Sequence, residues 1–177
     1  MGCTQAKPAA AYDSVGPRDE VEVSLDEYDP NRRVTFYFLR SAKVCKLAGD
    51  RLPTFREAKA AGLLIQRTMT LGDALRGKYV KEILAVSHRW DTSDEPDTTG
   101  EQFIALKEHL NAHPEIKLVF FDFSCMPQGK RTEEEQAEFS AMLREINIIY
   151  VGGAVLIIMD RTYMSRFWTQ YGEVLLC

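Results

Sequence analysis

Hydrophobic positions along this chain recur with two periods, one typical of β-strands and the other typical of α-helices. Short runs rich in β-branched and aromatic residues predict strands over residues 34–39, 63–68, 83–87, 118–123 and 155–159. Apolar residues spaced three and four apart predict helices over residues 54–61, 70–79, 100–113 and 132–150, with a last one from residue 165. Alternating strands and helices with short connections favour an α/β fold, in which a parallel sheet carries helices on both faces.

Capping residues mark two of the predicted helix starts. Thr70 with Asp73, and Thr132 with Glu135, have the spacing of a capping box. The last helical pattern still runs at Cys177, and no strand pattern follows it. Whether the sheet lacks a final strand therefore stays open.

Three segments of the chain differ in character. Residues 1–30 combine proline, alanine and glycine without periodicity, which predicts a flexible tail. We expect residues 31–80 to form an N-terminal α/β segment packed on a core that residues 81–177 supply. The length of 177 residues and the hydrophobic content of 45% suit one domain with a short extension.

Composition argues against several classes of function. With 22 basic and 26 acidic side chains the net charge is −4, so we expect no nucleic-acid partner. No apolar run reaches the ~18–20 residues that span a bilayer, and no secretory signal is recognisable. Four widely spaced cysteines without a CxxC pair, and only three histidines, predict neither a metal site nor a permanently bound cofactor. We therefore expect a cytoplasmic protein with free thiols.

The first residues carry the one targeting signal. Gly2 approaches the N-myristoylation pattern, and Cys3 is placed for palmitoylation. The chain departs from the pattern at Ala6, where serine or threonine is expected. A single acyl chain binds a membrane only weakly, so Cys3 would be the second anchor. Two interpretations stay open: a peripheral protein on the cytoplasmic face of a membrane, or an unmodified tail.

Chemically capable side chains follow the predicted strand 83–87. Ser87, Arg89 and Trp90 lie where ligands bind in open α/β sheets, beyond the carboxyl end of a strand. Arg89 can pair with a phosphate or carboxylate through its bidentate fork, and Trp90 can stack on a flat ring. In the structural alternative, Trp90 closes the edge of the core and Arg89 pairs with Asp91.

A second polar set follows the predicted strand 118–123. A charge inside an apolar run needs a partner, so we expect Asp122 to meet Arg89 or a cluster of backbone amides. Asp122 and Gln128 are candidate ligand anchors, although we favour a loop-organising role for Asp122. Cys125 and His88 form a candidate nucleophile–base dyad, against the simpler interpretation of Cys125 as a buried thiol.

Together these motifs resemble the heterokaryon-incompatibility (HET) domain, a relative of the Toll/interleukin receptor (TIR) domain. The resemblance covers roughly residues 82–177 and rests on the ordered matches Ser87-His88-Arg89-Trp90, Asp122 with Cys125 and Gln128, Ile149-Tyr150, and Trp168-Thr169.

The resemblance implies a flavodoxin-like TIR-type fold that serves in signalling, often in cell death or immunity, and self-associates through TIR-type contacts. Many TIR-type domains cleave NAD, as a substrate, at the nicotinamide–ribose bond. A glutamate carboxylate there stabilises the oxocarbenium-like ribose as nicotinamide leaves, much as in glycoside hydrolysis. The ligand-binding residues implied here are Ser87, Arg89, Trp90, Asp122, Cys125, Gln128 and Trp168.

The chain departs from the family at the catalytic position. The family glutamate lies four residues after the tryptophan, where this chain has Gly172, and Glu173 follows one residue later. One residue turns a helix by about 100°, so Glu173 would face another direction unless the helix is irregular. Two functions stay open: an NAD nucleosidase that uses Glu173, and a non-catalytic self-association or scaffold domain tethered to a membrane. A cysteine hydrolase built on Cys125 and His88 ranks third.

Overall fold

The computed structural model describes residues 29–92 and 95–159, and within these ranges five strands form one sheet. The strands are β1 (Arg33–Arg40), β2 (Leu64–Thr70), β3 (Ile83–Ser87), β4 (Leu118–Phe120) and β5 (Ala154–Ile157). The helices are α1 (Ser41–Val44), α2 (Phe55–Ala60), α3 (Leu71–Leu75), α4 (Glu101–Ala112), α5 (Asp122–Cys125), α6 (Glu133–Arg144) and α7 (Asn147–Gly152). The predicted α/β fold is confirmed.

The sheet is open and mixed, with the strand order β2-β1-β4-β3-β5. β3 pairs in parallel with both β4 and β5, whereas β1 runs antiparallel to β2 and β4. The predicted parallel arrangement is confirmed for β3, β4 and β5, and β1 and β2 add antiparallel pairs to the same sheet. Helical crossover connections join β3 to β4 and β4 to β5, and such connections link parallel strands. β1 and β2 come before these connections in the chain, so their direction is not fixed in this way.

Alternation along β1 shows that both faces of the sheet are covered. Phe36 and Phe38 are fully buried and pack edge-on against Phe120 of β4, with ring centroids 6.4 and 6.0 Å away. Tyr37 points to the opposite face, since neighbouring residues of a strand alternate. There it packs against Phe55 of α2 at 5.2 Å and donates its hydroxyl to Glu138 of α6.

The central strand β3 is buried along most of its length. Its residues from Ile83 to Val86 are at most 1% exposed. This matches its continuous apolar sequence, because parallel strands that are covered on both faces have no polar side. β3 is also the point at which the chain changes direction across the sheet: α4 leads to β4 on one side, and the chain then returns to β5 on the other.

Several element boundaries differ from the predicted ones for local reasons. The helix predicted over residues 132–150 is two helices, because the backbone at Glu145 leaves the helical conformation between α6 and α7. The strand predicted over 118–123 ends at Phe120, since Asp122 opens the helical turn α5. The capping box of Thr132 and Glu135 is confirmed, as both of its hydrogen bonds are present.

Candidate functional site

The candidate site lies at the carboxyl edge of the sheet, where the segments after β3, β4 and β5 meet. In a doubly wound sheet, ligands bind where successive connections leave neighbouring strands in opposite directions. The segments after β3 and β5 lie side by side at this edge, because the two strands are neighbours in the sheet. This edge has two features of interest: a cluster of side chains around Asp122, which we call the Asp122 cluster, and a small cavity beside Arg89.

In the Asp122 cluster, the carboxylate of Asp122 accepts hydrogen bonds from two aromatic side chains and one backbone amide. The Nε2 atom of His88 lies 3.0 Å from Oδ1, and Nε1 of Trp90 lies 3.1 Å from Oδ2. The amide N–H of Phe123 donates to Oδ1 at 2.6 Å. A carboxylate oxygen only accepts, so the donor in the bond to Oδ1 is the Nε2–H group of His88.

Aromatic packing holds the two donors in place. The imidazole of His88 is 2% exposed and stacks on Phe121 with the ring centroids 4.0 Å apart. The indole of Trp90 is half-buried and packs edge-on against Phe123 at 5.5 Å. Trp90 therefore closes the edge of the core, as the structural interpretation of the sequence expected.

Gln128 and Ser87 take part in two further hydrogen bonds at this edge, and both bonds are accepted by backbone carbonyl oxygens. The Nε2 group of Gln128 donates to the carbonyl oxygen of Asp122 at 3.1 Å, which closes the loop after β4. The carbonyl oxygen of Ser87 accepts from the N–H of Ile158 at 2.9 Å and joins the ends of β3 and β5. The bond from Gln128 and the bonds to the Asp122 carboxylate are those that a loop-organising role of Asp122 requires.

Cys125 lies beneath this loop and has the surroundings of a structural thiol. It is fully buried, and its Sγ–H group donates to the carbonyl oxygen of Val119 at 3.5 Å. Burial raises the pKa of the Cys125 thiol to about 12, so it is protonated at neutral pH. Nε2 of His88 is meanwhile bound to Asp122. This geometry gives the proposed dyad of Cys125 and His88 no support.

A cavity of about 240 Å³ lies at the crevice between β3 and β5. Its walls include Arg89 and Asp91 from the segment after β3, Gln102 of α4, and Ile158 with Met159 after β5. A separate groove of about 330 Å³ runs past Trp90, Phe123 and Gln128 toward Phe55 and Arg56 of α2. Arg89 and Trp90, which are neighbours in sequence, thus border different depressions.

Two buried oxygens at the first cavity lack a hydrogen-bond partner within the described residues: Oδ1 of Asp97 and Oε1 of Gln102. The second carboxylate oxygen of Asp97 accepts from the amide N–H of Phe103 at 2.8 Å. A buried polar group without a partner destabilises a protein by about 1–3 kcal/mol. Sequence reasoning missed both residues, because nothing distinguished Asp97 from the other acidic residues of this loop.

Four predicted residues lie outside the described part of the chain: the acylation candidates Gly2 and Cys3, and the family-derived residues Trp168 and Glu173. Within the described ranges, no cluster of three or more His, Cys, Asp or Glu side chains could hold a metal ion. In the same ranges, no helix combines the length and the apolar character needed to cross a membrane.

No family model, no curated protein and no solved structure matches this chain. The fold class therefore rests on the sheet topology.

Proposed function

We propose that this chain is a signalling domain of the HET/TIR-like type that cleaves NAD at the nicotinamide–ribose bond. The observation that carries the proposal is the position of the cavity at the ends of β3 and β5, beside the Asp122 cluster. In doubly wound sheets, nucleotides bind beyond the carboxyl ends of the strands. The resemblance of the strand-end motifs to the HET domain points to the same class of ligand.

The proposed reaction breaks the bond between C1′ of the ribose and the ring nitrogen of nicotinamide. Nicotinamide leaves as a neutral molecule with the bonding electron pair, and water then bonds to C1′ and releases one proton. Positive charge develops on the ribose in the transition state, and preorganised carboxylates stabilise such charge. In the proposal Glu173 is that carboxylate, and Asp91 and Asp97 add to the negative surroundings of the cavity.

The Asp122 cluster has a positioning role in this proposal. His88 and Trp90 flank Arg89 in sequence, and both are bound to the same carboxylate. Two anchored neighbours restrict the backbone that carries Arg89 to the cavity wall. The site thereby avoids part of the entropic cost of ordering this loop when a ligand binds.

A second function, self-association without catalysis, is favoured by a different observation. Val155, Ile157 and Met159 alternate along and just beyond β5 and are 43%, 53% and 61% exposed. β5 is the edge of the sheet in the described part of the chain. Apolar side chains on an edge strand are typical of surfaces that pair with another chain. Gly172 at the family's glutamate position favours the same alternative.

The test is nicotinamide release from NAD by the full chain at high protein concentration. We expect release that Glu173→Ala abolishes and Glu108→Ala preserves, because Glu108 is an exposed residue of α4. Light scattering on the same samples reports assembly. Assembly without nicotinamide release would reject the enzyme and leave the scaffold, and release that survives Glu173→Ala would reject Glu173 as the catalytic carboxylate.

A further inference from the structure

A groove of about 370 Å³ lies between helix α6 and the strands β1 and β2. Arg33 and Tyr37 line it from the same face of β1, since alternate residues of a strand point the same way. Gln66 of β2 lines it as well and is the register partner of Tyr37. The opposite wall is one face of α6 and its C-terminal cap, with residues spaced three and four apart: Glu138, Ala141, Met142 and Glu145.

Three side chains that line this groove are hydrogen-bond donors without a partner in the described part of the chain. They are the guanidinium groups of Arg33 and Arg144 and the amide of Gln66. All three residues are exposed, so a ligand reaches them without any opening of the fold. They belong to β1, α6 and β2, so the groove combines free donors from three separate elements.

The two glutamates that line the groove already have partners. Glu145 forms an ion pair with Arg32, and Glu138 accepts the hydroxyl hydrogen of Tyr37 at 3.1 Å. The lining contains three arginines and two glutamates, so the groove is cationic although the chain has a net charge of −4. A local positive potential of this kind attracts anions.

The free donors match the acceptors of a phosphate monoester. Such a group carries about two negative charges at neutral pH and three terminal oxygens that accept hydrogen bonds. An arginine pairs with phosphate through two parallel N–H···O bonds. The volume of the groove, about 370 Å³, lies within the roughly 300–1,000 Å³ of sites that bind small molecules. Val34, Ala141 and Met142 supply apolar surface for the organic part of the ligand.

We propose that this groove binds a phosphate monoester, with Arg33 and Arg144 pairing with the phosphate oxygens and Gln66 donating a further hydrogen bond. The proposal goes beyond NAD cleavage and does not depend on it, because the groove shares no lining residue with the cavity beside Arg89. Two sources carry the same chemistry: a soluble phosphorylated compound, and a lipid whose headgroup is a phosphate monoester.

The first test compares phenyl phosphate with phenyl sulfate by calorimetry on the full chain at pH 7.5. The two ligands share the ring, but the sulfate carries only one negative charge. We expect phenyl phosphate to bind about tenfold more tightly, because its additional charge strengthens the bonds from the guanidinium groups. Higher ionic strength should weaken its binding. Equal binding of the two ligands, or no binding of phenyl phosphate by folded protein, would overturn the proposal.

Variants test the assignment of the two arginines. We expect Arg33→Gln and Arg144→Gln each to weaken the binding of phenyl phosphate about tenfold, since each removes one charged donor. Arg40→Gln is the matched control: it removes the same charge from an exposed position at the other end of β1, outside the groove. Binding that Arg40→Gln weakens as much as Arg33→Gln would show a general response to net charge and would overturn the proposal.

Sedimentation with phosphatidylcholine vesicles, with and without phosphatidic acid, distinguishes the two sources of the ligand. Binding to phosphatidic acid that phenyl phosphate displaces and Arg144→Gln weakens would uphold the groove as a lipid headgroup site. Binding of phenyl phosphate without binding to either vesicle would uphold it as a site for a soluble phosphorylated compound. Binding of phenyl phosphate that survives in both Arg33→Gln and Arg144→Gln would overturn the groove as the site.

Discussion

Trp90 donates its indole N–H to the carboxylate of Asp122, with Nε1 3.1 Å from Oδ2. The bond joins the segment after β3 to the start of α5 after β4. His88, two residues before Trp90, binds the same carboxylate. One acidic side chain therefore holds the residues on both sides of Arg89. Asp122 is therefore the residue on which the geometry of this edge of the sheet depends.

Removing the Asp122 carboxylate should destabilise the fold. In Asp122→Ala, the ring N–H of buried His88 and the indole N–H of Trp90 both lose their acceptor. We expect a loss of about 2–4 kcal/mol in the free energy of unfolding, since each unpaired donor has a desolvation penalty. Urea titration measures it, with Asp122→Asn as the matched control that keeps one acceptor. Equal stability of wild type and Asp122→Ala would contradict the organising role.

Cys125 should resist alkylation in the native protein. Burial raises its pKa to about 12, and the reactive species is the thiolate. We expect iodoacetamide at pH 8 to modify half-buried Cys45 before Cys125, with peptide mass spectrometry assigning each site. Denaturant should abolish the difference. Rapid native modification of Cys125 would show that it is accessible and would revive the cysteine hydrolase hypothesis.

The ion pair between Arg56 and Glu135 should make stability depend on pH in acid. Hydrogen bonds from Arg56, followed by the backbone amide of Thr132, lower the pKa of Glu135 from its ordinary value of 4.5 to about 2. A carboxyl group whose pKa is lower in the folded state than in the unfolded state stabilises the fold at pH values above its unfolded-state pKa. That stability is lost as the pH falls through the folded value.

The pH dependence of the Tm between pH 7 and pH 2 measures this contribution. Glu135→Gln should have a lower Tm than wild type at pH 7, and the difference should shrink as the pH approaches 2. Glu133→Gln is the matched control, since it removes a neighbouring exposed carboxylate from the same helical turn. A difference between Glu135→Gln and wild type that stays constant with pH would show that the ion pair does not contribute.

The contact between α3 and α7 should not tolerate a side chain at Gly152. A Cβ atom placed there would lie 2.7 Å from the Cβ of Ala74 and 3.0 Å from its Cα. We expect Gly152→Ala to destabilise the protein by about 1–3 kcal/mol, because packed helices must move apart to accept the methyl group. Thermal unfolding checks it, with Val151→Ala on the exposed face of α7 as the control. Unchanged stability would show that α7 can move away from α3 without a cost in free energy.

Most of the local structure could be predicted from the sequence because it depends on neighbouring residues. The strand β3 was predicted with its exact bounds, since an unbroken apolar run flanked by polar residues has one interpretation in an α/β pattern. The capping box at Thr132 depends on residues three apart, and both of its bonds form as the spacing indicated. The order of strands and helices, and from it the α/β class, follows from the same short-range signals.

Only the tertiary structure decided the contacts between distant segments. The antiparallel direction of β1 depends on its pairing with β2 and β4, which no local period encodes. The partners of Asp122 lie 32 and 34 residues earlier in the chain, so the sequence required a partner but could not choose among donors. Asp97 and Gln102 likewise became candidates only when folding closed their oxygens off from water. Periodicity and capping are properties of adjacent residues, whereas burial and long-range hydrogen bonds exist only once the sheet has assembled.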